Sequence, residues 1–117
     1  MKYPCLVYLD EKRLDELPDE ECVDVDTDIR SSGQCLAAEA LESVYTATTV
    51  RVRAGKVSLT DGPFAETREQ RAGFYMIDAR DLNAAVQIAS TIPPARAGCV
   101  ETRPIRPIRE TVAAARH

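Results

Sequence analysis

Carboxylates and arginines gather in two stretches of this sequence. Residues 60–67 read TDGPFAET, which places Asp61 near Glu66, with Arg51, Arg53 and Arg68 close by along the chain. Paired carboxylates in a partly dry cleft can serve as general acid and base once their surroundings pull their pKa values apart, and a neighbouring arginine can bind an anion or tune them. Asp61 and Glu66 are therefore candidate catalytic residues, and Asp26, within the run DVDTD, is a third. Arg51 and Arg68 are candidate anion-binding residues, and Phe64 is a candidate ligand-stacking surface. A plainer role stands beside this one. Asp-Gly-Pro is a turn sequence, an aspartate commonly accepts from backbone amides a residue or two onward, and Phe64 can anchor its loop in a core.

Other chemistries find little support. His117 is the single histidine and stands in the tail, so an internal histidine base or haem ligand is not expected. There is no glycine-rich phosphate loop and no serine-histidine-acid set. DVDTD opens like a calcium loop, yet Ile29 stands where that loop needs glycine and Cys35 where it needs glutamate. Four cysteines, Cys5, Cys22, Cys35 and Cys99, contain no CxxC pair and are expected to be reduced, buried and apolar in behaviour. Neither a metal nor a cofactor is expected.

At 117 residues the chain is expected to form one domain over residues 1–110, followed by a tail over 111–117 that is frayed or serves as an arm onto a neighbour. Charge is uneven: through Glu42 twelve acids face four bases, a net of −8, and the rest carries +4. An acidic whole argues against nonspecific nucleic-acid binding. The C-terminal arginines, Arg96, Arg103, Arg106, Arg109 and Arg116, are expected to answer the acidic first half or a partner subunit. No run approaches the roughly 18 apolar residues of a membrane span, and the opening residues do not read as a secretory signal, so a cytoplasmic protein is expected.

These residues need elements to hold them. KYPCLVYL reads as a strand, with Tyr3, Cys5, Val7 and Leu9 on one face and Leu6 and Tyr8 on the other. LPDEECVDVDTDIRSSG reads as a helix: Pro18 and three acids suit its first turn, Gly33 suits its end, and Cys22, Val25 and Ile29 form an inward stripe. CLAAEALE has helical propensity, but a strand must return there, so a strand is expected. TATTVRVR and VSLT form a hairpin about Ala54, Gly55 and Lys56, and parity puts Val57, Leu59 and Asp61 on its inward side. GFYMIDA is a strand with Phe74 and Met76 opposed to Tyr75 and Ile77. Asp81 caps a helix over LNAAVQIAST, which Pro93 and Pro94 stop, and CVETRPIRPI is an edge strand. The order gives a ferredoxin-like α+β fold, an antiparallel sheet covered by two helices on one face. Its other face is apolar too, which calls for a two-fold homodimer packed sheet on sheet.

ATTVRVRAGKVSLTDGPFAETREQRAGFYMIDARDLNAAV, with the opening KYPCLVYL and the closing VETRPI, resembles the DGPF branch of the YCII-related family from Lys2 to about Ile108. TDGPFAET is the specific part of the match. The resemblance implies a ferredoxin-like subunit that forms a dimeric α+β barrel through its free sheet face. It implies an enzyme in which a histidine and an aspartate share a cleft, and it brings a genetic association with extracytoplasmic-function sigma factors. Here Val25 stands beside Asp26 where a histidine or tyrosine is looked for, which leaves Asp61, Asp26 and Glu66 as cleft residues. The expected function is a cytosolic homodimer binding a small polar or anionic metabolite near the TDGPFAET loop, with cofactorless catalysis open. The alternative is a noncatalytic regulatory or interaction module linked to sigma-factor control.

Overall fold

The computed structural model describes residues 1–108, so expectations about the tail, Arg109, Arg116 and His117 lie outside the described residues. The elements follow as β1 (Lys2–Leu9), α1 (Asp19–Ser31), β2 (Cys35–Ala40), β3 (Thr48–Arg53), β4 (Lys56–Asp61), β5 (Gln70–Asp78), α2 (Leu82–Ala89) and β6 (Cys99–Thr102). Short 3-10 helices at Glu11–Glu16, Val44–Thr46 and Pro93–Arg96 join them. α1 begins after Pro18 with acids in its first turn, where the positive end of the helix dipole favours them. Asp81 accepts from the Ala84 amide at 2.9 Å and so caps α2.

Four strands make one antiparallel sheet in the order β2-β5-β1-β6, consistent with a ferredoxin-like fold. Register sets Cys5 opposite Tyr75 and Leu6 opposite Phe74, so alternate residues meet across the strands. Tyr3, Cys5, Val7 and Ile77 face the helices and form the core with Ile29, Ala85, Ala89 and Ile92. Close backbone approach to the strands of the sheet requires two glycines. A Cβ on Gly98 would overlap the Tyr8 carbonyl oxygen, and one on Gly73 would lie 2.8 Å from that of Glu39. On the opposite face Leu6, Tyr8, Phe74 and Met76 are half-buried. There Arg71 lies over the Tyr8 ring, 5.3 Å from its centre.

Several expectations need correction. β3 and β4 form a separate two-stranded ribbon, and every residue of β4 is exposed. Val57, Leu59 and Asp61 do share a face, but no element of the described chain covers it. The ribbon turns through Ala54 and Gly55, both at positive φ. β6 stops at Thr102, directly before RPIRPI, since Pro104 has no amide to donate to a ladder. Of the cysteines only Cys5 is buried, and Cys99 is exposed. Arg96 does answer the acidic half, gripping Glu21 through both terminal nitrogens at 2.5 and 2.6 Å. Among the described residues no helix is long and apolar enough to cross a membrane.

Candidate functional site

Between α1 and the helix-facing side of the sheet lies a cavity of about 700 Å³. Val7, Leu9, Ala72, Gly73 and Tyr75 come from the sheet, Cys22, Val23, Asp26 and Arg30 from α1, and Leu14, Asp15 and Leu17 from the segment before it. Ile92, Pro93 and Pro94 close another side. A polar cluster interrupts this largely apolar wall. The Tyr75 hydroxyl donates to Asp26 Oδ1 at 2.7 Å, and Arg30 Nε donates to Asp26 Oδ2 at 2.7 Å. Arg30 Nη2 also donates to the Ala38 carbonyl at 2.8 Å, which ties α1 to β2.

Local rules place each member. Arg30 follows Asp26 by one helical turn, the spacing at which side chains meet along a helix. Tyr75 lies on the same side of β5 as the buried Ile77, so it points toward α1 rather than toward the free face. Burial, and then the hydrogen bond to the Asp26 carboxylate, push the Tyr75 phenol well above the usual tyrosine range. Burial and the nearby charges of Glu21 and Asp19 likewise push the Cys22 thiol up. Four carboxylates line the cavity, those of Asp15, Asp19, Asp26 and Glu39, against the single guanidinium of Arg30.

The other anticipated residues are dispersed. Glu66 and Arg68 line a second cleft of about 660 Å³ with Lys12, Tyr45 and Thr67. Glu11, also there, already accepts from the Val44 amide at 2.7 Å and from Ser43 Oγ at 2.9 Å. Asp61 is exposed at the end of β4 and lines neither hollow. The bend after it is held instead by the Gly62 amide donating to the Ala47 carbonyl at 2.6 Å and by Thr49 Oγ1 donating to the Gly62 carbonyl at 2.8 Å. Gly62 itself sits at φ +102°, a backbone setting that a side chain would strain. Phe64 is 79 % exposed, and Arg51 donates to its carbonyl at 3.3 Å. Asp24, Asp26 and Asp28 are spread around α1, because residues two apart on a helix do not face one another.

The family model for the YCII-related domain matches residues 1–109. The chain belongs to the YCII-related family. An uncharacterized protein of Rhizobium meliloti (strain 1021) is 34 % identical over 114 residues, covering 90 % of this chain and 92 % of that protein.

In this YCII-related chain the polar cluster was only partly visible in the sequence. Asp26 stood out as a carboxylate, and its four-residue spacing to Arg30 was there to be read. Tyr75 lies forty-nine positions from Asp26 along the chain, and only the parity of β5 pointed to it. Chemically, the cluster offers a carboxylate anchored by two donors at the wall of an apolar cavity. With their pKa values raised, Tyr75 and Cys22 stay protonated at neutral pH, which disfavours either as base or nucleophile, and Tyr75 donates to Asp26.

Proposed function

We propose that this chain is a small-molecule-binding subunit of a homodimer and that its ligand sits in the cavity between α1 and the sheet. The observation that carries this reading is the Asp26 carboxylate, held at 2.7 Å by both Tyr75 and Arg30 on the wall of that cavity. Apolar walls with a few fixed polar groups are the usual make-up of such a site. The preponderance of carboxylates favours a ligand with an apolar body that presents hydrogen-bond donors, or a positive charge, to Asp26, over an anion. A protonated Tyr75 and Cys22, with no histidine among the described residues that line the cavity, support binding over turnover; in a catalytic version of the site Asp26 would be the proton acceptor. Glu66 and Arg68 form a second, more polar candidate seat, and Asp61 with Gly62 and Pro63 shapes the bend.

Dimerisation is supported by the free face of the sheet, where no helix or sheet among the described residues covers the half-buried Leu6, Tyr8, Phe74 and Met76. The ligand site is tested by two-dimensional NMR against a panel of neutral, cationic and anionic fragments. Perturbed amides should cluster at Val23, Ala72 and Gly73, and Asp26→Asn should weaken the best binder about tenfold, the cost of one charge-assisted hydrogen bond. Perturbations confined to Glu66 and Arg68, or indifference to Asp26→Asn, would overturn the assignment.

A further inference from the structure

The β3–β4 ribbon has an apolar face that no element of the described residues covers. Register pairs Val50 with Leu59 and Val52 with Val57 on that face, and all four are more than half exposed. A lone two-stranded ribbon is marginally stable in water, and a contiguous exposed apolar strip marks a surface that meets something. Arg51, Arg53 and Lys56 lie on its opposite face, and among the described residues none of them forms an ion pair.

We infer that the ribbon is an arm whose apolar face packs on a second copy of this chain. The inference rests on the dimer of the reading above and adds to it a contact surface distinct from the free sheet face. Area is the first reason for choosing a second copy. The accessible surface is 8625 Å², whereas a monomeric protein of this mass exposes roughly 6,300 Å². That surplus exceeds the roughly 800 Å² per partner that a standard interface buries, so the chain carries enough uncovered surface for a stable dimer.

Charge is the second reason. The ribbon holds three bases against Asp61, while residues 1–42 carry a net −8. On α1, Glu20, Asp24 and Asp28 make no ion pair among the described residues. A second copy therefore presents a body of the sign that the arm attracts, which steers the two together. Reciprocity is the third reason. In a two-fold pair each chain gives an arm and receives one, so both bare strips are covered by a single closed arrangement.

The test combines sedimentation across a dilution series with hydrogen exchange of the ribbon amides. Val50→Thr combined with Leu59→Thr should weaken the dimer at least tenfold and leave the circular dichroism of the diluted chain unchanged, since neither side chain belongs to the core. Arg53→Glu with Lys56→Glu should weaken it less, about threefold, and the difference should vanish at 1 M salt, where the Debye length falls to about 3 Å. Ribbon amides should exchange slowly in the dimer and quickly after dilution. A wild-type dimer that the Val50/Leu59 pair leaves intact, with fast-exchanging ribbon amides, overturns the arm and spares the dimer. Slow exchange in the diluted monomer also overturns it, because the chain would then cover its own ribbon. A wild type that is monomeric throughout the micromolar range overturns both readings.

Discussion

β1 paired with β5 and β3 paired with β4 are built by the same rule, and they end in opposite surroundings. Both are antiparallel pairs whose apolar residues meet across the register, Cys5 with Tyr75 in one and Val50 with Leu59 in the other. In the first pair Cys5 and Ile77 are wholly buried beneath the helices, and in the second Leu59 is 68 % exposed. Alternation in a sequence therefore announces an apolar face without saying what will cover it. In one layer the cover is α1 and α2; in the other no element among the described residues supplies one.

The sharpest way to break this contrast is to remove atoms from the buried layer. Ile77→Ala should lower the unfolding free energy by about 4 kcal/mol, because the lost transfer term is joined by a cavity that packed helices cannot close. Urea unfolding of the monomer measures it; a loss below about 1 kcal/mol would mean that the layer is packed far more loosely than described. Next in size comes the pair of glycines. Gly98→Ala should cost about 3 kcal/mol, since its methyl group must displace the β1 backbone at Tyr8 and Leu9, whereas Gly62→Ala meets open space and should cost about 1 kcal/mol for its φ alone. Equal costs would show that crowding is not what separates the two regions.

Much of the packed layer was legible in advance. Cys22, Val25 and Ile29 recur at helical spacing, Asp81 stands at a cap, and Tyr3, Cys5, Val7 and Leu9 alternate; each pattern records a local rule that the fold obeys. What escaped depends on contacts remote in sequence. The segment DEKRLDEL has no clear period, so the 3-10 helix Glu11–Glu16 was not foreseen. Strand parity turns Asp61 inward only if the hairpin joins its neighbours' sheet, whereas the ribbon stands apart. At the site, Asp26 was visible as a residue type, but its meeting with Tyr75 required knowing that α1 crosses β5.

The polar cluster sits between the two extremes and gives an intermediate effect. Tyr75→Phe should cost about 1 kcal/mol at neutral pH, the net worth of one hydrogen bond, since Arg30 still holds Asp26. The pH dependence has a definite sign. With the Tyr75 pKa raised on folding, the stability it brings is fully present below the ordinary phenol value and is lost as pH rises above it toward the folded value. Above about pH 10 the wild type should therefore lose stability faster than Tyr75→Phe, and parallel curves would refute the contact. On the acid side Arg96 lowers Glu21 and the Ala84 amide lowers Asp81, so these contributions fade as pH falls from the ordinary carboxylate range through their folded values.

The smallest effect is the most telling. Leu59→Ala removes as many carbons as a core truncation, yet in the diluted monomer it should change the unfolding free energy by less than about 0.5 kcal/mol, because a side chain already in water loses little when shortened. The same substitution at concentrations that sustain a dimer should act on the dissociation constant instead, so the cost appears only where a second chain is present. A loss near 2 kcal/mol in the monomer would mean that Leu59 is buried within its own chain in solution, as Ile77 is, and the two strand pairs would then differ in position alone and not in what covers them.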